Sequence, residues 1–304
     1  MVKQRILLVL FAALLLASPA SAKYFWQDFN VSLLGGANYR IPYHNPQLFN
    51  FPQPYENDET RTVFTFEHCG ETDFGDTFMF FDYLWNNDGD REFYAEVNPR
   101  FSIGKALNKD LSNGIIQDFF LSYCYEHDDT FYSKNSGTNS DLHFRNHLFG
   151  FGINFKIKGF THFKIDYFLR ANGQADHPAG HLAYNNQQIT FVWGYPFSIG
   201  DAEFVYDGFV DYTTPEKVVN PKSLNGFGIE DHAASTNFTS QLKWNLGKAL
   251  KLKNYKKNKL YLGVEYVYWD NKFGIRDGSL LFKGAKRCWD SDERNLNVLV
   301  QYHF

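Results

Sequence analysis

The chain has 304 residues and a formal net charge of −4, and 19% of its residues are aromatic although its mean hydropathy is −0.41. A polar average excludes a bundle of membrane-spanning helices, which needs long apolar runs, and the aromatic content excludes a disordered chain. The mildly acidic composition gives no electrostatic reason to expect a nucleic-acid polymer as partner. These values favour a β-rich protein in which apolar and polar residues alternate.

The N-terminal segment has the three parts of a secretory signal peptide. A basic start at Lys3 is followed by an apolar stretch at residues 6–17, and residues 20–22 read Ala-Ser-Ala, an A-x-A cleavage site. The apolar stretch is too short to span a membrane comfortably. We therefore expect residues 1–22 to be cleaved as a signal peptide and residues 23–304 to form one domain.

Beyond the signal peptide, apolar and aromatic residues recur with period two, which indicates strands with two different faces. The alternation is clear at residues 163–170 and 260–268, and again at 296–304, where the apolar face ends on Phe304. We predict twelve strands, near residues 27–39, 61–68, 77–85, 92–103, 115–126, 143–158, 161–171, 187–197, 201–213, 235–246, 258–270 and 293–304.

Strand length separates the two all-β architectures that such strands can build. Strands of a soluble sandwich are usually about 5–6 residues long, whereas tilted membrane-spanning strands need about 9–11. Several runs here have the greater length, and aromatic residues concentrate near strand ends, as in the girdles of outer-membrane barrels. The sequence therefore predicts an all-β, antiparallel transmembrane barrel of about twelve strands with short periplasmic turns and longer external loops. The external loops are expected at residues 40–60, 127–142, 172–186, 214–234 and 271–292.

Two of the expected periplasmic turns, 104–114 and 247–257, open with the same four residues, Gly-Lys-Ala-Leu. The second continues with four more lysines, which leaves two interpretations open, a solvated basic turn or a dedicated binding site. Pro99 lies just before the first turn. Since proline cannot donate to a strand ladder, we expect a bulge or a locally unpaired position there.

The polar face of each strand would line the lumen. Acids and bases are mixed on it, so the Lys and Arg ladder of a phosphate-selective pore is missing. Aromatic residues on the same face either stack on flat polar solutes or merely fill a narrow barrel, and the sequence leaves both readings open. The residues expected to point inward are Tyr94, Glu96, Asn98, Arg100, Ser102, Asp118, Phe120, Ser122, Asp166, Phe168, Arg170, Asp207, Phe209, Asp211, Tyr261, Glu265 and Trp269.

Histidine and cysteine residues give little support for an enzyme or a metal site. His177 and His181 lie in one loop, but no recognisable nucleophile and no third metal ligand accompany them. The three cysteines lack CxxC spacing, and a bridge between Cys124 and Cys288 is left open. We predict no enzymatic activity, no metal and no cofactor.

The segment 96–105, Glu-Val-Asn-Pro-Arg-Phe-Ser-Ile-Gly-Lys, followed by Asp-Leu-Ser at 110–112 and by Gly114, resembles the signature of the Tsx family of nucleoside-specific outer-membrane channels. The resemblance is strong over about residues 92–126 and rests on pattern elsewhere. It implies a monomeric barrel in the bacterial outer membrane, in contact with its lipid, that passes nucleosides by diffusion. It also implies that external loops of some relatives serve as receptors for phage or colicin. Asn98 departs from the family pattern, which usually has an acidic residue there.

The predicted function is therefore passive uptake of nucleosides or similar small polar aromatic solutes. A barrel that serves mainly as a surface receptor or structural protein is the alternative, and an outer-membrane hydrolase is the third. The candidate solute-binding residues are Tyr94, Glu96, Asn98, Arg100, Asp118, Phe120, Asp166, Phe168, Arg170, Asp207, Phe209 and Glu265.

Overall fold

The computed structural model describes residues 23–40, 59–87, 89–131, 142–173, 181–182, 186–216, 218–219, 232–254, 259–274, 276–278 and 290–304. In these ranges, twelve antiparallel strands form a closed barrel. The strands are β1 (Tyr24–Tyr39), β2 (Glu59–Thr72), β3 (Gly75–Trp85), β4 (Arg91–Ser102), β5 (Ile116–Phe131), β6 (Leu142–Phe155), β7 (His162–Gly173), β8 (Gln187–Ile199), β9 (Ala202–Thr213), β10 (Ser235–Asn245), β11 (Leu260–Asp270) and β12 (Glu293–His303).

Each strand pairs with its neighbours in the chain, and β12 pairs with β1 to close the sheet. In that closing pair, Val31 lies opposite Tyr302 and Leu34 lies opposite Leu299. The predicted number, order and orientation of the strands are confirmed. The largest differences are in β2, which spans Glu59–Thr72 where residues 61–68 were predicted, and in β5, which continues to Phe131 although its end was predicted at residue 126. Polar residues occupy both faces of this last part of β5, so the alternation that marks a strand is lost there.

The two faces of the barrel wall have the expected opposite character. On β12, Leu296 and Val298 are 59% and 60% exposed, whereas Asn295 and Asn297 are 1% and 0% exposed. Because successive side chains of a strand point to opposite faces, the apolar residues form the lipid-facing surface and the polar residues point into the barrel. The inward side chains bury one another, so the interior is narrow and largely filled by side chains.

The two Gly-Lys-Ala-Leu segments form short helices at the same end of the barrel, α1 (Ile103–Leu107) and α2 (Leu246–Ala249). The hydroxyl of Ser102 accepts a hydrogen bond from the Lys105 backbone N–H at 2.9 Å, and the Asn245 side chain accepts one from Lys248 N–H at 2.9 Å. Serine and asparagine are favoured in this capping role. The expected plain turns are thus each extended by one capped helical turn.

The remaining short elements lie at the external end of the barrel. The two-residue strands His181–Leu182 and Val218–Val219 pair with each other, and Lys272–Gly274 forms a 3₁₀ helix. Among the described residues, no helix combines the length and apolar character needed to cross a membrane. The predicted signal peptide and most residues of the predicted external loops lie outside the described ranges.

Pro99 interrupts the ladder between β4 and β5 without shifting its register. Val97 pairs with Tyr125 and Arg100 pairs with Ser122, while Asn98 and Pro99 have no partner in β5. The expected unpaired position is confirmed, and there is no bulge between these two pairs. The interruption leaves the inward direction of Asn98 and Arg100 unchanged.

Glycine is required where β3 approaches β4. A Cβ atom built on Gly75 would lie 1.9 Å from the carbonyl oxygen of Arg100, whereas one built on Gly35 has no heavy atom within 4 Å. We predict that Gly75→Ala lowers the free energy of unfolding by about 1–3 kcal/mol, because backbone cannot move aside cheaply. The matched variant Gly35→Ala should change it by less than about 0.5 kcal/mol. Urea unfolding in detergent micelles measures both, and equal midpoints for the two variants would contradict this account.

Candidate functional site

The pleat of the strands directs all twelve candidate residues towards the barrel interior. They lie on β4, β5, β7, β9 and β11, and all except Asp118 fall into three groups that differ in what their side chains contact. The first group surrounds Arg100, the second surrounds Arg170, and the third lies on β9 and β11. The structure places these side chains inward, as predicted.

Arg100 lies at the centre of a buried cluster of charges. Its Nε donates to Asp166 Oδ1 at 3.1 Å, and its Nη1 donates to Asp76 Oδ2 at 3.1 Å. Lys164 Nζ lies 3.1 Å from the same Asp76 oxygen, and the guanidinium carbon of Arg100 lies 4.3 Å from the ring centroid of Phe120. We call Arg100, Asp76, Asp166 and Lys164 the arginine bridge. Its two acids balance its two bases, which makes burial of the charges tolerable.

The arginine bridge crosses two strands, and small residues make that crossing feasible. Arg100 on β4 reaches Asp166 on β7, passing over Ser122 of β5 and Gly152 of β6. A Cβ atom on Gly152 would lie 2.1 Å from Asp166 Oδ1 and 2.6 Å from Arg100 Nη2. Ser122 also donates its hydroxyl hydrogen to Asp166. Any larger residue at position 152 would therefore occupy the space that the ion pair needs.

Arg170 forms the second group through a bidentate salt bridge with Glu126. Its Nη1 and Nη2 lie 2.9 Å and 2.6 Å from the two carboxylate oxygens of Glu126, a geometry that is strong and orients both side chains. Close by, the hydroxyl of Tyr94 donates to Glu96 Oε1 at 2.5 Å. Glu96 also accepts a weak hydrogen bond from the Cys124 thiol at 3.6 Å. These carboxylates are already engaged, each by a side chain from another position of the wall.

The third group contains Asp207, Phe209 and Glu265. Lys243 Nζ lies 2.6 Å from Asp207 Oδ2. Glu265 accepts hydrogen bonds from Gln241 at 2.7 Å and from Asn297 at 3.0 Å. Phe209 lies on β9 opposite Thr239 of β10 and remains partly exposed.

Asp118 has a different position from the other candidates. It accepts hydrogen bonds from the hydroxyl of Ser102 and, at 3.2 Å, from the backbone N–H of Gly104. Both donors belong to the start of α1, so the carboxylate fixes the periplasmic turn. In the same turn, hydrogen bonds from Ser112 hold the pKa of Asp110 below its usual value.

The lumen aromatics divide into buried and accessible rings. Phe168 is 1% exposed and Phe120 is 5% exposed, the former packed in a cluster with Cys124 and Leu148. Tyr94 remains partly exposed and continues a row with two rings of β3. In this row the Phe78 and Phe80 centroids are 5.7 Å apart, and those of Phe80 and Tyr94 are 5.8 Å apart. We call Phe78, Phe80 and Tyr94 the aromatic row.

Two buried polar atoms of β4 have no hydrogen-bond partner in the described part of the chain. They are Asn98 Oδ1, an acceptor, and Arg100 Nη2, a donor. Buried polar groups without partners are uncommon and point to water or a ligand. Asn98 lies opposite Phe78 of the aromatic row, whereas Arg100 Nη2 faces Gly152 of β6.

Sequence reasoning missed Phe78 and Phe80, together with four charged residues that complete the ion pairs. Phe78 to Phe81 is apolar on both faces, which hides the direction of the rings, although Asp76 and Asp82 share their parity and could have revealed it. The missed charged residues are Asp76, Glu126, Lys164 and Lys243.

Cysteine and histidine chemistry adds no site in the described ranges. Cys69 and Cys124 are free thiols, and Cys124 lies within the barrel wall, since β5 continues beyond it to Phe131. Cys288, His177 and the side chain of His181 lie outside the description. Within it, no three His, Cys, Asp or Glu side chains are grouped to hold a metal ion.

The arginine bridge makes a prediction about stability. Asp166→Asn removes one carboxylate from the bridge and leaves excess positive charge buried, so we expect a loss of about 3–5 kcal/mol in the free energy of unfolding. The double variant Arg100→Gln with Asp166→Asn should lose less than the sum of the two single variants, because the two side chains interact directly. Urea titration in detergent checks this, with exposed Asp110→Asn as the control. Additive losses would show that the contact contributes nothing.

Comparisons with known proteins identify the family. The profile of a family described as "Nucleoside-specific channel-forming protein, Tsx" matches residues 47–304, and no curated protein sequence matches the chain. Similar solved structures include the β domain of the Bordetella autotransporter Brka, with 10% identity, a TM-score of 0.37 and coverage of 92% of this chain and 99% of that chain. The outer membrane protein OprD from Pseudomonas aeruginosa has 9% identity, a TM-score of 0.33 and coverage of 94% and 96%. The chain belongs to the Tsx family of channel-forming proteins, and its closed barrel is an outer-membrane channel.

Proposed function

We propose that the channel passes nucleosides, or small polar aromatic solutes like them, by passive diffusion. The observation that carries this proposal is the aromatic row, Phe78, Phe80 and Tyr94, with Asn98 opposite Phe78 on the neighbouring strand. Flat rings offer stacking surface to a base. Membership of a family described as nucleoside-specific supports the same solute class.

The chemistry of the row fits a neutral solute that must bind weakly enough to leave. Stacking on an aromatic side chain contributes about 1–3 kcal/mol per base, whatever the base. The neighbouring carboxylates Glu96 and Asp211 offer acceptors to sugar hydroxyls, although each already has protein partners. A channel needs such modest, repeated binding, since a solute that binds too tightly does not pass.

Of the residues predicted to bind solute, Tyr94, Glu96, Asn98 and Phe209 keep that role in our proposal. Arg100 is 2% exposed, so we assign it to the arginine bridge. Phe168 and Phe120 face the lumen, but their rings are covered by protein. We assign these two to packing and the accessible rings to stacking. The two interpretations of the inward aromatics therefore both apply, to different residues.

No observation favours the alternative functions over a channel. His177 and the side chain of His181, which were considered for a hydrolase, lie outside the described residues. The same holds for most of the external loops through which a receptor would act. A monomeric state, loop recognition by phage or colicin, and cleavage of residues 1–22 stay predictions.

Replacement of one accessible ring tests the proposed solute. We expect nucleosides to block the single-channel current of the wild-type protein in planar bilayers, and Phe80→Leu to weaken the block about 5- to 100-fold through loss of stacking. Phe81→Leu is the matched control, since it changes the next residue on the lipid-facing side of β3. Absence of block in the wild type would overturn the nucleoside proposal. Unchanged block in Phe80→Leu would remove the aromatic row from it.

Replacement of a buried ring should have the opposite profile. Phe168→Ala leaves a cavity beside Leu148 and Cys124, so we expect the free energy of unfolding to fall by about 3–5 kcal/mol. The nucleoside concentration for half-block should stay within about twofold of wild type, because the ring offers no face to solute. A large loss of block in a folded Phe168→Ala channel would return this residue to the binding site.

A further inference from the structure

The periplasmic rim carries lysines that the channel function does not use. The lysine of each Gly-Lys-Ala-Leu segment is held by an acid, Lys105 by Glu71 at 2.9 Å and Lys248 by Glu203 at 2.7 Å. The lysines that follow are different. Lys109, Lys251 and Lys253 are exposed and have no carboxylate within ion-pair distance among the described residues.

These free lysines are spaced around the rim. We use the name lysine collar for the exposed lysines of three turns, namely Lys109, Lys156, Lys158, Lys251, Lys253 and Lys259. The turns join β4 to β5, β6 to β7 and β10 to β11, so the collar reaches both sides of the barrel. A set of unpaired cations at one end of the barrel favours an anionic partner.

Exposed apolar side chains are interleaved with the collar. Leu107 is 56% exposed two residues before Lys109, and Leu250 is 58% exposed directly before Lys251. Leu252 is exposed between Lys251 and Lys253. A turn facing only water gains nothing from exposed leucines. Alternating leucine and lysine instead fits the boundary between acyl chains and headgroups, where lysine side chains extend their ammonium groups towards phosphate.

The position of these turns relative to the lipid-facing surface supports the same partner. The turn after β10 begins directly beyond Leu242 and Trp244 of the outer face and returns to the outer face at Leu262. The collar thus continues the lipid-contacting surface and is not separated from it by a stalk or domain. Lys156 and Lys158 likewise lie in a turn next to aromatic rings. The two strands that this turn joins carry Phe155 and Phe163, whose rings are in edge contact at 6.0 Å.

We propose that the lysine collar binds the phosphate groups of anionic phospholipids in the inner leaflet of the outer membrane. The interaction is independent of the solute that the channel passes. Each lysine near an anionic surface strengthens binding about fivefold, and the exposed leucines place the turns at headgroup depth. This proposal adopts the binding-site interpretation of the basic turn 247–257 instead of the solvated one.

Lipid binding by the purified full-length protein tests this proposal. Native mass spectrometry in a mild detergent would compare phosphatidylglycerol with phosphatidylcholine, whose headgroup is zwitterionic. We expect the wild type to retain phosphatidylglycerol at least tenfold better. The triple variant Lys109→Gln, Lys251→Gln, Lys253→Gln should retain it at least fivefold less well than the wild type, with phosphatidylcholine unchanged.

Arg294→Gln is the matched control, because it removes an exposed cation from the opposite end of the lipid-facing surface. It should leave phosphatidylglycerol retention at the wild-type level, and heat-modifiable migration in gels shows that each variant is folded. Equal retention by wild type and triple variant would overturn the proposal. Displacement of the lipid by equimolar inorganic phosphate, or by poly-glutamate, would instead assign the collar to a free anion or an acidic protein. Either result would overturn the lipid contact while leaving nucleoside block untouched.

Discussion

The constraint on which this structure depends is the absence of water in the hydrocarbon core of the membrane. Backbone N–H and C=O groups have no partner there except one another, so a sheet must close on itself. The pairing of β12 with β1 meets that requirement by joining the first strand of the barrel to the last. Once the sheet is closed, the period-two pleat fixes the rest. One face must tolerate lipid, and the other becomes the wall of the channel.

A narrow, closed interior then imposes a second constraint, on charge. Side chains that face one another across a filled lumen are shielded from water, so an unpaired charge would be costly. The barrel meets this constraint with ion pairs between strands that are not adjacent. Arg100 and Asp166 lie on β4 and β7, while Arg170 on β7 meets Glu126 on β5. Such contacts link strands that share no hydrogen bonds, so they help to hold the barrel in one cross-section.

The difference between local periodicity and contacts across the barrel explains which features the sequence could predict. The number of strands and the direction of their faces depend on a local period, so alternation alone predicted them. The partners of Arg100 depend on the stagger of strands around the barrel, which no local pattern records. Nor could local pattern predict that Gly152 must be small, because the need arises from Arg100 and Asp166 on other strands. The two helical turns were missed for a different reason. Ser102 and Asn245 are recognisable helix caps, so the sequence did contain the signal for these turns.

Aromatic residues illustrate the same limit of local patterns, because this one residue class has three roles: contact with lipid, packing inside the barrel and contact with a solute. Leucine, valine and aromatic residues at outward positions meet lipid, a role decided by parity. Among inward rings, however, parity does not separate Phe168 from Phe80. Gly150 leaves room for the ring of Phe168 to pack against the wall, where a Cβ atom would lie 2.9 Å from it, whereas Phe80 lies between the rings of Phe78 and Tyr94 in a row that stays open. The residues beside an inward ring therefore decide whether it fills the barrel or meets a solute. The most important factor is whether the neighbouring strand carries a small residue at that point.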